Sequence, residues 1–183
     1  YGWEKLFSER MCQNFREDFG SNVRVFRFHN VYGPFGTWTG GREKAPAALC
    51  RKVIEAVDTG NHDIEIWGDG EQTRSFMYID DCLSGMARLM ESSYTDPLNL
   101  GRAELVSING LLDIIEGIAG ITLKRNYDLS KPQGVRGRNS DNALIQSTLG
   151  WEPEVNLATG LEKTYRWIEE QYERRKRGEI VVD

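Results

Sequence analysis

The first five residues pair a tyrosine with a lysine at a spacing that could support proton transfer. Tyr1 and Lys5 stand four positions apart, so on a helix they share a face and lie about 6 Å apart along the axis. A tyrosine hydroxyl titrates near pH ~10, but a neighbouring ammonium favours the phenolate. Such a pair could therefore take a proton from the hydroxyl of a sugar or alcohol. This spacing alone more often marks a solvated helix face, so a catalytic role for the pair depends on support from the rest of the chain.

A predicted strand and the segment after it form a candidate wall for a binding site. Residues 22–28 place apolar side chains on both faces, which is typical of a strand in the middle of a parallel sheet. The turn-rich residues 29–34 follow. Ligands of open α/β sheets bind beyond the carboxyl ends of the strands, so we expect this segment to line a site. A glycine-rich loop that carries charge, residues 36–44, comes next.

The first element is predicted to be an amphipathic helix. Trp3, Phe7, Met11 and Phe15 recur every four residues, which predicts a buried stripe on one face. Gly20 is expected to end the helix.

The remaining elements follow from apolar periodicity, caps and turns. We expect these elements, in chain order: a helix over 45–57, a strand with Ile64 and Ile66 closed by a turn at 68–70, an extended segment over 75–79, a helix to Met90 capped by Asp80 or Asp81, a strand over 98–101, a helix capped by Ser107 and running to Ala119, a loop with Pro132, Arg136 and Arg138, a helix over 141–149, and a last helix that buries Leu161, Tyr165, Ile168 and Tyr172.

Composition restricts the possible functions of the 183 residues. A hydrophobic content of 39% and a charged content of 28% are typical of a globular domain. The net charge of −5 argues against a nucleic-acid partner. Cys12, Cys50 and Cys82 are scattered and odd in number, which favours small core residues in a reducing compartment. The chain has only two histidines, far apart, so we expect no metal site. No apolar run reaches membrane-spanning length and no signal peptide is visible, so we expect no membrane partner.

The order of elements predicts an α/β fold in two parts. Residues 1–35 are typical of the end of a doubly wound parallel sheet, and residues 36–183 of a smaller α+β substrate-binding lobe with some segments returning to the sheet. The chain begins with a tyrosine inside an apparent helix, so we interpret it as a fragment that lacks its N-terminal half.

Several short motifs in a fixed order carry a family resemblance. They are Tyr1-x-x-x-Lys5, Arg27-x-x-Asn30-Val31-Tyr32-Gly33-Pro34, Trp67-Gly68-Asp69-Gly70 with Thr73-Arg74 and Ile79-Asp80-Asp81, and Leu149-Gly150-Trp151-x-Pro153. Together they resemble the extended short-chain dehydrogenase/reductase family of nucleotide-sugar enzymes. The resemblance implies a Rossmann-type sheet, an NAD cofactor, and a homodimer in the cytoplasm.

A narrower resemblance concerns the charged loop. Residues 28–48, with Gly40-Gly41-Arg42-Glu43-Lys44 inside them, and residues 134–142 resemble the branch of that family that epimerises C3 and C5 of GDP-mannose. This branch, by resemblance, gives Tyr1 the role of redox base, Lys5 that of its partner and a cofactor ribose contact, and Lys44 that of an acid/base in epimerisation. The residues that match its substrate contacts are Asn30, Glu43, Lys44, Ala45, Lys52, Gln72, Thr73, Arg74 and Arg138.

The implied chemistry requires these residue types. Oxidation of C4 of a GDP-hexose acidifies the hydrogens at C3 and C5, and inversion needs two proton-transfer groups on opposite faces of the ring. Lys44 matches one of them, and the family's other member is a cysteine upstream of the tyrosine. Lys52, Arg74 and Arg138 suit the diphosphate. Trp38 either shields the sugar or packs as an ordinary tryptophan.

Two other functions stay open on sequence grounds. A different nucleotide-sugar 4-epimerase or a 4,6-dehydratase needs Tyr1 and Lys5 but not Lys44. A non-catalytic sugar-nucleotide-binding module needs neither. The chain has no Gly-x-x-Gly-x-x-Gly turn at a strand–helix junction, so we expect these 183 residues to be inactive alone.

Overall fold

The computed structural model describes residues 1–131 and 134–182, so Pro132 of the predicted loop lies outside the described residues. Helices and strands alternate along the described chain. The helices are α1 (Gly2–Phe19), α2 (Ala45–Thr59), α3 (Ile79–Glu91), α4 (Ile108–Ala119), α5 (Ala143–Leu149) and α6 (Leu157–Lys176). The strands are β1 (Phe26–Phe28), β2 (Asn30–Tyr32), β3 (Asp63–Trp67), β4 (Thr73–Arg74), β5 (Phe76–Tyr78), β6 (Leu98–Leu100), β7 (Val106–Ser107), β8 (Lys124–Asp128) and β9 (Gly137–Arg138).

Parallel pairing dominates the sheets. Strand β1 pairs with β6, β2 with β5, and β3 with β8, all in parallel. A three-stranded sheet places β4 between β7 and β9. Parallel neighbours need long crossover connections, which helices usually supply, and α2 to α4 lie within these connections. The predicted α/β class is therefore confirmed.

Two apolar clusters form the core. The larger one lies where α2, α4 and α6 meet, and its fully buried members include Val53, Leu112 and Leu161. The smaller one joins α3 to β6 and α5. Cys50 and Cys82 are buried in these clusters, as predicted, and burial raises the pKa of the Cys50 thiol to about 12. Cys12, also predicted to be a core residue, is only partly buried, because it lies on α1.

Helix α1 differs from the prediction, because its apolar stripe is not buried. No residue of α1 is buried, and Trp3 is 84% exposed. Polar contacts attach the helix to the described residues: Arg27 donates to the carboxylate of Glu9, and Arg16 donates to the carbonyl of Thr95. The predicted spacing of the stripe is present, but the described residues place no core against it.

The segment after α1 also needs correction. The predicted strand over 22–28 is reduced to the three residues of β1, which pairs along one edge with β6. Residues 30–32, predicted as part of a turn-rich exit, form the second strand β2. The chain thus leaves the β1–β6 pair at Phe28 and enters the β2–β5 pair at Asn30, which is the first residue of β2.

Two helix caps illustrate what a sequence can and cannot specify. Ser107 caps α4 as predicted, accepting a hydrogen bond from the Gly110 N–H at 3.0 Å. Neither Asp80 nor Asp81 caps α3, because the helix begins at Ile79 and both lie in its first turn. The Asp81 carboxylate instead accepts the backbone N–H groups of residues 154 and 155 and so fixes a distant loop.

Candidate active site

A cleft of about 650 Å³ lies between the start of α2, the end of β3, and strands β2, β4 and β5. It gathers most of the residues that the resemblance assigns to substrate. Those that line it are Asn30, Glu43, Lys44, Ala45, Lys52, Gln72 and Arg74. Thr73 and Arg138 lie beside the cleft, in the sheet that carries Arg74. Residues from four separate parts of the sequence therefore share one concave surface.

Lys44 stands at the N-terminus of helix α2. Its backbone is extended, with φ −81° and ψ 162°, and its carbonyl accepts the first helical hydrogen bond from the Ala48 N–H at 2.9 Å. A residue in this position usually caps the helix with a short polar side chain, and the Lys44 side chain makes no cap hydrogen bond. A cation at this end also opposes the helix dipole. Helix formation therefore does not explain a lysine here, and the residue lines the cleft.

The neighbouring Glu43 is held firmly by the protein itself. Its two carboxylate oxygens accept hydrogen bonds from Arg51 at 3.0 Å and from the Gly41 N–H at 2.7 Å. Burial raises the pKa of the Glu43 carboxyl, but the hydrogen bonds from backbone N–H groups and from Arg51 outweigh burial and lower it. Glu43 is thus an ionised wall residue whose position is fixed before a ligand arrives.

The side-chain amides of Asn30 and Gln72, which both line the cleft, differ in how completely they are hydrogen-bonded. Asn30 donates to the Ser75 carbonyl at 3.1 Å, which fixes its side chain across the β2–β5 pair. Gln72 is buried and donates to the Trp67 carbonyl at 3.0 Å, but its Oε1 atom has no hydrogen-bond partner among the described residues. A buried acceptor without a donor costs free energy, so this oxygen destabilises the wall of the cleft.

Basic groups surround the same end of the cleft. Lys52 reaches across from α2 and donates to the Glu65 carbonyl at 2.9 Å. Arg74 donates to the Thr73 carbonyl at 2.7 Å, and Arg138 stands opposite it in the β4–β9 register. Arg136, for which the sequence supports no role, pairs with Asp69 at 2.8 Å. Lys52 and Arg74 thus line the cleft, and Arg138 lies beside it on the neighbouring strand.

Tyr1 and Lys5 lie outside the cleft. They do share a helix face, since the Lys5 ammonium lies 5.3 Å from the centre of the Tyr1 ring. Tyr1 is 89% exposed, and no contact joins either residue to Asn30 among the described residues. The structure therefore forms the pair but does not bring it to Lys44, and the catalytic role of the pair stays a prediction.

Two residues of the loop and helix α2 change the interpretation of the charged loop. Trp38, for which sequence left two roles open, is 1% exposed and does not line the cleft, so it packs as a core tryptophan. Arg51, which sequence reasoning left without a role, lines the cleft and binds both Trp38 and Glu43. The i, i+4 spacing of Arg51 and Glu55 predicts their ion pair, but no sequence signal joins Arg51 to the loop.

Metal and membrane features are not found in the described part of the chain. Within residues 1–131 and 134–182, no group of three or more His, Cys, Asp or Glu side chains could hold a metal ion. None of the described helices is both long enough and apolar enough to cross a membrane.

Comparison with known proteins defines the class. The profile of the NAD dependent epimerase/dehydratase family matches residues 1–101. The chain belongs to that family.

Individual relatives refine the comparison. The GDP-mannose 3,5-epimerase 1 of Oryza sativa subsp. indica is 51% identical over 96% of this chain and 45% of its own length. A UDP-glucose 4-epimerase from Thermotoga maritima, solved with UDP-glucose, has a TM-score of 0.85 at 27% identity. The match covers 94% of this chain and 54% of that one. A UDP-glucuronic acid 4-epimerase from Bacillus cereus, solved with UDP-glucuronic acid and NAD, has a TM-score of 0.75 at 29% identity over 93% of this chain and 52% of its own. The chain thus spans about half the length of the proteins it matches.

Proposed function

We propose that this chain supplies the nucleotide-sugar cleft, the redox base and one acid/base group of an enzyme that epimerises C3 and C5 of GDP-mannose. The observation that carries the proposal is the position of Lys44 in the wall of the cleft, beside the fixed Glu43 carboxylate. The 51% identity to a GDP-mannose 3,5-epimerase supports the choice of reaction over the UDP-sugar 4-epimerases, which match at 27% and 29%.

Tyr1 and Lys5 fit one end of an NAD site. A phenol with an ammonium 5.3 Å from its ring supplies the donor and the base that a ribose and a reacting hydroxyl need. NAD, when bound, takes up the hydride of C4 and later returns it. In our proposal Lys5 stabilises the phenolate of Tyr1, and this phenolate takes the proton of the C4 hydroxyl and becomes a neutral phenol. The sequence has no Gly-x-x-Gly-x-x-Gly turn that would bind the pyrophosphate of NAD.

Lys44 is proposed to move protons at C3 and C5 once C4 is a ketone. Its backbone is fixed at a helix N-terminus next to an ionised carboxylate, and its side chain makes no cap hydrogen bond to the helix. Inversion requires a partner on the opposite face of the sugar ring. The described residues of the cleft contain no cysteine, so that partner is not assigned here.

The remaining groups hold the nucleotide. Arg74 and Arg138 are suited to bidentate contacts with the diphosphate, and Lys52 adds a point charge from the opposite wall. Gln72 lines the same cleft and is a further candidate contact for the nucleotide.

Isotope exchange tests the reaction directly. The complete gene product is incubated with GDP-mannose in deuterated water, and deuterium at each sugar carbon is followed by NMR. We expect deuterium at C3 and C5 with the configuration of C4 retained. Inversion at C4 without exchange at C3 and C5 would assign a 4-epimerase instead, and tight binding without any turnover would assign a binding module.

A further inference from the structure

The loop that carries Lys44 has little backbone rigidity of its own. Gly40 and Gly41 adopt φ values of 89° and 85°, in the left-handed region, and the space around both is open. Glycine restricts the backbone less than any other residue. The loop must therefore be fixed from outside if Lys44 is to keep one position.

Arg51 provides such an attachment. From the second turn of α2 its Nε donates to the Trp38 carbonyl at 3.2 Å, and one Nη donates to the Glu43 carboxylate at 3.0 Å. The two accepting residues stand on either side of residues 39–42. One guanidinium therefore joins both ends of the flexible stretch to the helix that Lys44 begins.

The rest of the Arg51 environment keeps the guanidinium in this orientation. Its other Nη donates to both oxygens of Glu55 at 2.8 and 2.9 Å, one helical turn further on. Burial works against the charge, but the hydrogen bonds and charges of Glu55 and Glu43 outweigh it and raise the pKa of Arg51. The Arg51 guanidinium of this attachment is therefore charged at neutral pH.

We propose that Arg51 is a positioning residue for Lys44, acting through the Trp38 carbonyl and the Glu43 carboxylate. The proposal rests on the proposed function for its catalytic consequence, but the attachment itself can be tested without activity. The three nitrogens of the planar guanidinium reach acceptors on three residues in different directions, and the compact ammonium of a lysine cannot reproduce this arrangement.

Proteolysis tests the attachment. Trypsin cleaves after Arg42, inside the loop, and the rate of that cut in the folded complete gene product reports how often the loop opens. We expect Arg51→Lys to raise the rate about tenfold or more, because charge-assisted hydrogen bonds are lost. Arg166→Lys is the matched control, since Arg166 forms an exposed pair with Glu169 on α6 and should leave the rate unchanged.

A second variant keeps the test valid if Arg51→Lys unfolds the protein. Glu43→Ala removes one acceptor while leaving the Arg51–Glu55 pair, and it should also raise cleavage after Arg42. In the double variant the effect should be smaller than the sum of the two single effects, because both variants remove the Arg51–Glu43 contact. Additive effects, or cleavage rates equal to that of the wild type, would overturn the attachment.

Isotope exchange then tests the consequence for Lys44. In Arg51→Lys the exchange at C3 and C5 should fall by up to about 100-fold, since small misplacements of a catalytic group have effects of that size. Reduction of bound NAD by the substrate should change less than about twofold, because Lys44 takes no part in that step. Equal loss of both steps would assign Arg51 a general structural role. A wild type that exchanges neither carbon would refute the proposed reaction and leave the proteolysis result to stand on its own.

Discussion

Helix α1 and the loop of residues 36–44 each carry a group proposed for proton transfer, but the chain surrounds them very differently. Tyr1 and Lys5 lie on a helix without a buried residue, which is joined to the described chain by polar side chains. Lys44 begins a helix packed into the main core and follows a carboxylate fixed by Arg51. The described residues therefore pack around the helix that Lys44 begins, whereas the Tyr1–Lys5 pair forms on a helix that they leave unburied.

The largest expected effect concerns Tyr1 and tests whether the two regions cooperate. In the complete gene product, Tyr1→Phe should lower both reduction of bound NAD and exchange at C3 and C5 by about 100- to 10,000-fold, because exchange depends on prior oxidation of C4. Absorbance of the reduced nicotinamide and NMR measure the two steps. Tyr127→Phe removes a phenol that bonds Asn109 and does not itself line the cleft, and it serves as the control. Activity equal to wild type in Tyr1→Phe would mean that the pair is only a solvated helix face.

Stability should separate the same two regions in the 183-residue chain. Leu112→Ala removes a fully buried side chain between α2, α4 and α6, and should lower the free energy of unfolding by about 2–5 kcal/mol. Trp3→Ala removes a larger side chain that is 84% exposed, and should change the free energy of unfolding by no more than about 0.5 kcal/mol. Urea unfolding measures both. A large loss in Trp3→Ala would show that α1 packs on a core after all.

Two helical glycines sharpen the comparison within the packed region. A Cβ at Gly85 would lie 2.6 Å from the Leu100 side chain and 2.8 Å from Trp151, so Gly85→Ala should destabilise the chain by about 1–3 kcal/mol. A Cβ at Gly117 meets nothing within 4 Å, so Gly117→Ala in α4 should stabilise it by about 0.5–1 kcal/mol. Thermal unfolding of the two variants should shift in opposite directions. Shifts of the same sign would mean that α3 is packed less tightly than described.

The smallest effect is the pH dependence of the loop attachment. The folded-state pKa of Glu43 is lowered from the ordinary value of 4.5, so its contribution to stability is present above that pH and is lost as the pH falls through the lowered value. Glu43→Gln should therefore make the free energy of unfolding fall less steeply between pH ~5 and ~3. Denaturant titrations across this range measure the slope. Parallel curves for variant and wild type would show that Glu43 is not held as an ion.

The sequence predicts the fold well where periodicity and composition decide the structure. The helix from Ala45 and the last helix, with Leu161, Tyr165 and Ile168 buried, follow from the 3.6-residue period. Tyr172, predicted on the same buried face, is only partly buried. The strand at Ile64 and Ile66 follows from alternation. Strand β8 was missed because its polar residues, Lys-Arg-Asn-Tyr-Asp, show no apolar alternation and are strand-like only through pairing with β3.

The site was predicted by resemblance rather than by pattern. Lys44 and Gln72 carry no local signal, and only the fold brings them into one cleft. Arg51 was missed because its contacts with Trp38 and Glu43 span eight to thirteen residues across a glycine loop, where no helical or strand period applies. The Asp81 contact with residues 154 and 155 was missed for the same reason.

The most direct test of the account is the ratio of two rates in Lys44→Ala. The complete gene product and this variant are incubated with GDP-mannose in deuterated water, and exchange at C3 and C5 is divided by the rate at which bound NAD is reduced. We expect the ratio to fall by about 100- to 10,000-fold, with NAD reduction close to that of the wild type. Lys124→Ala, a change at an exposed lysine paired with Asp63, should leave the ratio unchanged. An unchanged ratio in Lys44→Ala would show that Lys44 is only a loop charge and would contradict the proposed role of the cleft.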